Sequence, residues 1–223
     1  MTTSTDKAIL NLAKHLEEFR GVETTPERHI FLLWLITRGM TLLGAERPIL
    51  VGGGAVEFYT GVRFATGDLD LVVLHADCCI EVLETLGFEK AGESNHWVNR
   101  NVAALVEIHR GHLAGKEEPI EVVYRKVPLL VVSPEDCIAE RLASFRRHGS
   151  SLDLLSAFLV AYHHHSRLDQ HRLQERIGAM DLWEDYSIIQ DISRKLICDH
   201  GGVDEAAGDL IHFMKEGPRS CAF

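Results

Sequence analysis

Asp68 and Asp70 stand one residue apart in the run Thr66-Gly67-Asp68-Leu69-Asp70-Leu71-Val72-Val73. Alternate side chains on an extended strand share a face, so the two carboxylates point one way while Leu69 and Leu71 point into a core. Upstream, the apolar run Ile49-Leu50-Val51 breaks at Gly52-Gly53-Gly54 and continues as a short helix. A helix N-terminus offers free backbone N–H groups to an anion, and glycine lets a phosphate approach the backbone. Magnesium takes one or two carboxylates and completes its shell with phosphate oxygens and water. Acids and glycines in this order are the parts needed to hold a cation and a polyphosphate together. The chemistry they would serve is metal-assisted phosphoryl or nucleotidyl transfer.

Positioning these residues takes a strand, a helix and a second strand, and the sequence supplies them between Ile49 and Val73. A helix over Ala76–Leu86 ends at Gly87, and Phe88 begins a return to the sheet. The extended segments His96–Val98, Ala103–His109, Pro119–Tyr124 and Leu129–Val132 follow, rich in Val and Ile and joined by short polar turns. Such segments pair antiparallel, so the whole reads as an α+β domain with a mixed sheet. Ahead of it, Asp6 to about Arg20 has apolar residues at helical spacing. Thr25 and Pro26 then open a helix, apolar nearly all round, that stops at Gly44. These two helices either lean on the sheet or form a dimer surface. From Ser133 the chain turns helical, with Pro134 at the first position and Glu135 and Asp136 complementing the helix dipole. Further helices are expected over Leu152–His164, Gln170–Ile177, Trp183–Ile197 and Val203–Lys215. The expected organisation is N-terminal helices over 1–44, a sheet domain over 45–132 and a helical domain over 133–223.

With 223 residues, 46% of them hydrophobic and 25% charged, the chain is long and apolar enough for a substantial core. The formal net charge of -10 provides no general attraction for nucleic acid. The opening Met1-Thr2-Thr3-Ser4-Thr5-Asp6 lacks the basic start and apolar run of a signal peptide, and no apolar stretch reaches membrane-spanning length. Cys78, Cys79, Cys137, Cys198 and Cys221 form no CxxC spacing and read as reduced thiols. A cytoplasmic protein that does not engage membrane is expected. Consecutive helical residues point about 100° apart, so His163-His164-His165 cannot all hold one ion.

The run Gly52-Gly53-Gly54-Ala55, followed by Arg63-Phe64-Ala65-Thr66-Gly67-Asp68-Leu69-Asp70-Leu71, resembles the signature of the DNA polymerase beta-like nucleotidyltransferase superfamily. Within it, the chain is similar to the small prokaryotic branch that includes the AbiEii-type toxin nucleotidyltransferases. Val132-Ser133-Pro134-Glu135-Asp136 through Leu142 resembles the helix start that often follows the last strand in this branch. The resemblance runs from about Ile49 to Asp153. It implies a nucleotidyltransferase-like sheet whose glycine-started helix receives a nucleoside triphosphate, with Gly52, Gly53, Gly54, Arg63, Thr66 and Arg141 on the nucleotide. It also implies that Asp68 and Asp70 bind magnesium, or manganese in its place, with a third acid from a neighbouring strand. The acceptor would be a hydroxyl of a protein, a transfer RNA or a small molecule. Many relatives carry Lys where this chain has Arg141.

Two residues are candidates for the third acid. Glu107, in Leu105-Val106-Glu107-Ile108-His109, is a lone acid on an apolar strand, where burial without a partner is costly. Glu121, in Ile120-Glu121-Val122-Val123, looks the same one strand later. Glu107 is favoured because its strand lies nearer in sequence to the aspartates, although relatives often have Asp there. Arg63 either meets a phosphate or anchors the loop. Arg141 either meets the triphosphate or makes a surface salt bridge, and Asp153 reads as a first-turn partner of its helix dipole. A contrasting reading is a nucleotidyltransferase-fold binding protein with weak or no turnover, paired with a protein partner as in a toxin–antitoxin pair, or a homodimer. A dinucleotide-binding dehydrogenase fails on detail: its third glycine would fall at Glu57, and Asp70 starts its strand instead of ending it.

Overall fold

The computed structural model describes residues 11–19, 21–22, 25–61, 66–113 and 118–199. Arg63 and the helix expected over Val203–Lys215 lie outside the described residues. The chain divides into two compact units, residues 1–133 and 134–223.

Among the described residues the first unit holds seven strands: β1 (Ile49–Leu50), β2 (Leu69–Val73), β3 (Glu89–Lys90), β4 (His96–Asn99), β5 (Ala104–Arg110), β6 (Ile120–Tyr124) and β7 (Val127–Val131). They form one sheet in the order β3-β4-β5-β2-β1-β7-β6. The β3–β4, β4–β5, β6–β7 and β1–β2 pairs are antiparallel, while β2–β5 and β1–β7 are parallel, so the sheet is mixed as the α+β pattern requires. The strand order decides what meets what. β5 lies beside β2, whereas β6 sits at the far edge with β1 and β7 between it and β2.

Helices α1 (Leu16–Phe19), α2 (Thr25–Leu42), α3 (Gly52–Thr60) and α4 (Ala76–Thr85) also belong to this unit. Phe31 to Ile36 are all buried, each 3% exposed or less, which explains why α2 is apolar nearly all round. α2 packs against α3, α4 and β7, so it belongs with the sheet. At Gly39 a Cβ would lie 2.6 Å from Val82 Cγ1, and the missing side chain is what lets α2 and α4 come so close. His29 on α2 and Glu57 on α3 form a buried pair with Nδ1 and Oε2 2.5 Å apart. Removing either partner leaves the other's polar atom buried without this hydrogen bond, at a cost of about 1–3 kcal/mol.

The β6–β7 hairpin turns on Arg125 and Lys126, both at positive φ (47° and 65°), the turn that matches strand twist but normally uses Asn or Gly. Arg125 is held there by its guanidinium, 4.7 Å from the centroid of the Phe31 ring and 5.3 Å from that of Trp34. It also donates to Glu18 at 2.7 Å, and this contact, with the His15 ring beside it, lowers the Glu18 pKa from its ordinary value.

The second unit contains α5 (Pro134–His148), α6 (Ser151–His164), α7 (Gln170–Ala179) and α8 (Trp183–Asp199). Glu135 and Asp136 do more here than complement a dipole. Glu135 accepts the Asp169 N–H at 2.8 Å, and Asp169 in turn caps α7 through the N–H groups of His171 and Arg172. Asp136 is fully buried against Arg172 and Arg176, each 2.6 Å away. The acidic opening of α5 therefore anchors α7.

Candidate active site

β2 alternates as its sequence predicts, with Leu69, Leu71 and Val73 buried and Asp70 half-buried on the opposite face. Asp68 stands two residues ahead on that face, just before the strand begins. Parallel pairing of β2 with β5 sets Asp70 opposite Glu107. Antiparallel pairing of β4 with β5 sets His96 opposite the same Glu107. A row of three side chains thus crosses three strands. His109, two residues beyond Glu107, shares its face.

The two oxygens of Asp70 have different work. Oδ2 accepts the Gly53 N–H at 3.0 Å, so this carboxylate caps the opening turn of α3, where the preceding residue, Val51, offers no side-chain cap. Oδ1 faces the Nε2 of His109 at 3.8 Å. The carboxylate of Glu107 likewise spans two imidazoles, with Oε2 3.4 Å from His96 Nε2 and Oε1 3.9 Å from His109 Nε2. Thr66 donates its hydroxyl to Asp68 Oδ1 at 2.7 Å and thereby fixes the first acid.

The glycines are required by close approach. Gly52 has φ +60°, and a Cβ there would fall 2.0 Å from Asp70 Oδ2. A Cβ on Gly53 would fall 2.7 Å from Thr66 Oγ1, and one on Gly54 2.9 Å from Leu50 Cδ1. The triplet seats the N-terminus of α3 directly on the aspartate strand, with its positive end against the carboxylates.

Of the residues singled out from sequence, the structure brings together Gly52, Gly53, Gly54, Thr66, Asp68, Asp70 and Glu107. Glu121 is on the edge strand β6, exposed and paired with Arg47 at 2.9 Å. Arg141 belongs to the second unit, where it pairs with Asp153 at 3.2 Å, and Ser144 donates to the same carboxylate. Asp153 is thus a side-chain partner of Arg141 as well as a first-turn acid. The sequence pattern assigns no role to His96 or His109. The alternation of β5 alone would have put His109 on the face of Glu107, whereas His96 depends on strand register.

The donor set suits a divalent cation. Asp70, Glu107 and His109 offer ligand atoms within 4.8 Å of one another, and so do Asp68, His96 and Glu107. Donors around a small divalent ion at about 2.1 Å lie roughly 3–4.2 Å apart, so these separations need only small side-chain adjustments.

No family model and no curated relative matches the sequence. Among solved structures, the chain is similar to ANT(2")-Ia in complex with adenylyl-2"-tobramycin, with 15% identity and a TM-score of 0.49 over 67% of this chain and 95% of that one. It is also similar to a solution structure of the antibiotic-resistance factor ANT(2'')-Ia, with 15% identity, a TM-score of 0.49, and coverage of 70% and 91%. An antigenic nucleotidyltransferase-like protein from Paracoccidioides brasiliensis is similar at 15% identity and TM-score 0.49, covering 73% of this chain and 93% of that one.

Proposed function

We propose that this protein is a divalent-metal-dependent nucleotidyltransferase that moves a nucleoside monophosphate from a triphosphate to a hydroxyl, releasing pyrophosphate. One observation carries the reading: Asp70 and Glu107 lie side by side on parallel strands, with Asp68 ahead of them, at the glycine opening of α3. Of the residues that carry the sequence resemblance, Gly52, Gly53, Thr66, Asp68 and Asp70 lie close together.

Asp68, Asp70 and Glu107 would hold the metal, magnesium or manganese, which when bound neutralises phosphate charge and polarises the α-phosphorus. The N-terminus of α3 receives the phosphates through its backbone N–H groups and dipole. The acceptor oxygen attacks the α-phosphorus, the bond to the bridging oxygen breaks, and pyrophosphate leaves with the electron pair. Glu107, the more exposed of the two paired acids, takes the proton from the attacking hydroxyl. Arg63 is assigned to the triphosphate on the sequence resemblance alone. The acceptor is a hydroxyl of a protein, a transfer RNA or a small molecule.

The test is to incubate purified protein with each labelled triphosphate, with and without magnesium, and to follow label onto the protein itself, transfer RNA and a cell extract. Metal-dependent label transfer that disappears in Asp70→Asn is expected. Absence of transfer and of metal-dependent triphosphate binding would replace this reading with that of a binding protein built on the same fold.

A further inference from the structure

We propose that His96 and His109 are themselves metal ligands, and that they tune the centre toward an imidazole-binding transition ion such as cobalt or zinc over magnesium. This rests on the reading of Asp68, Asp70 and Glu107 as a cation site and adds two ligands to it. The observation is the register row, in which Glu107 presents one oxygen to each imidazole. The imidazoles come from different strands, so the centre comprises two overlapping triads: Asp70–Glu107–His109 and Asp68–Glu107–His96. In all three contacts it is Nε2 that faces a carboxylate oxygen, at 3.4, 3.8 and 3.9 Å. A cation placed between such atoms would draw an oxygen and a nitrogen together. Magnesium favours oxygen donors and resists dehydration, whereas imidazole suits later divalent ions.

A different role for the same rings would be as protonated counter-charges to the acids. The two roles predict opposite signs. Removing a ligand weakens transition-ion binding, but removing a competing positive charge strengthens binding of every divalent ion.

The experiment uses the full chain stripped with chelator, held at about pH 8, where free imidazole with its pKa of about 6.5 is neutral. Cobalt chloride and magnesium chloride are titrated separately by calorimetry, without nucleotide, into wild type, His96→Ala, His109→Ala and the double variant. Each substitution is expected to weaken cobalt about tenfold or more, the scale of losing a group that supports a metal, while magnesium changes by less than about threefold. Unchanged or stronger cobalt binding in the variants overturns the proposal. A second measurement needs no variant. Proton spectra of the cobalt-loaded wild type should contain strongly shifted imidazole N–H resonances that vanish in D2O, and their absence overturns the proposal. Label transfer in magnesium without imidazole ligation would sink this inference and leave nucleotidyl transfer standing. Imidazole ligation without transfer would do the reverse.

Discussion

Asp70 is bound through one oxygen to the backbone of α3 and presents the other toward Glu107 and His109, so one side chain links helix placement to the acidic cluster. Its two roles separate by substitution. Asp70→Asn retains an oxygen for the Gly53 N–H and loses the charge. It is expected to keep the unfolding free energy within about 0.5 kcal/mol while transfer falls to about 1% or less. Asp70→Ala should cost about 1 kcal/mol in addition, the usual loss for an uncapped helix start. Urea denaturation in chelator beside a label-transfer assay reads both. Equal stability of the Ala and Asn variants would remove the capping role.

The thiols behave differently at the same scale. Burial pushes Cys79 and Cys137 up to about 12 from an ordinary 9, while Cys78, next to Cys79 in the chain, is only half-buried. Between those pH values the unfolded chain gives up thiol protons that the folded chain keeps. The contribution to stability is therefore complete below pH 9 and is lost as pH rises toward 12. Peptide-resolved alkylation of the native protein near neutral pH should label Cys78 and spare Cys79 and Cys137. Labelling of all three at one rate would contradict this burial.

Among the elements, the contact between α2 and α4 is set by what Gly39 lacks. Alanine would raise helix propensity by about 1 kcal/mol, but its methyl would strike Val82 at 2.6 Å. Overpacking of this kind costs about 1–3 kcal/mol, so Gly39→Ala is expected to lower stability, and Gly39→Ala with Val82→Ala to lose less than the two single losses summed. Denaturant melts of the four proteins measure the coupling, and strict additivity would place the two residues out of contact. The elements also show what the sequence could disclose. Period-two alternation marked Asp68 and Asp70, and burial of Leu69 and Leu71 follows from the same pattern. Sequence favours Glu107 over Glu121 only by nearness along the chain, because both acids sit on similar apolar strands; the strand order adds that β5 lies parallel beside β2 while β6 is at the far edge. His96 is not legible in the sequence because register, a product of the assembled sheet, sets it opposite Glu107. The β6–β7 turn is not legible because Arg125 and Lys126 are not turn formers, and long-range contacts of Arg125 with Phe31 and Trp34 hold it.

For the whole molecule the deciding quantity is charge. With 33 Asp and Glu against 23 Lys and Arg, the net charge is -10, and Asp68, Asp70 and Glu107 concentrate part of it at one place. Under the proposed function, a triphosphate, even with a bound cation, would be repelled at long range and captured at short range by the N-terminus of α3 and the cation held by the acids. Raising ionic strength shrinks the Debye length from about 30 Å at 0.01 M to about 8 Å at 0.15 M, which removes the repulsion and leaves the short contacts largely in place. The association rate of the triphosphate, followed by stopped flow at saturating metal, is accordingly expected to rise with salt over this range. That is the reverse of proteins that bind polyanions through a basic surface, whose affinity falls steeply with salt. By the same reasoning, bulk transfer RNA at about 0.1 M salt should not compete with the triphosphate, which leaves small molecules and proteins as the favoured acceptors. A triphosphate association rate that falls with salt, or competition by transfer RNA, would mean that a local basic surface outweighs the net charge, and a large RNA acceptor would then be the better reading.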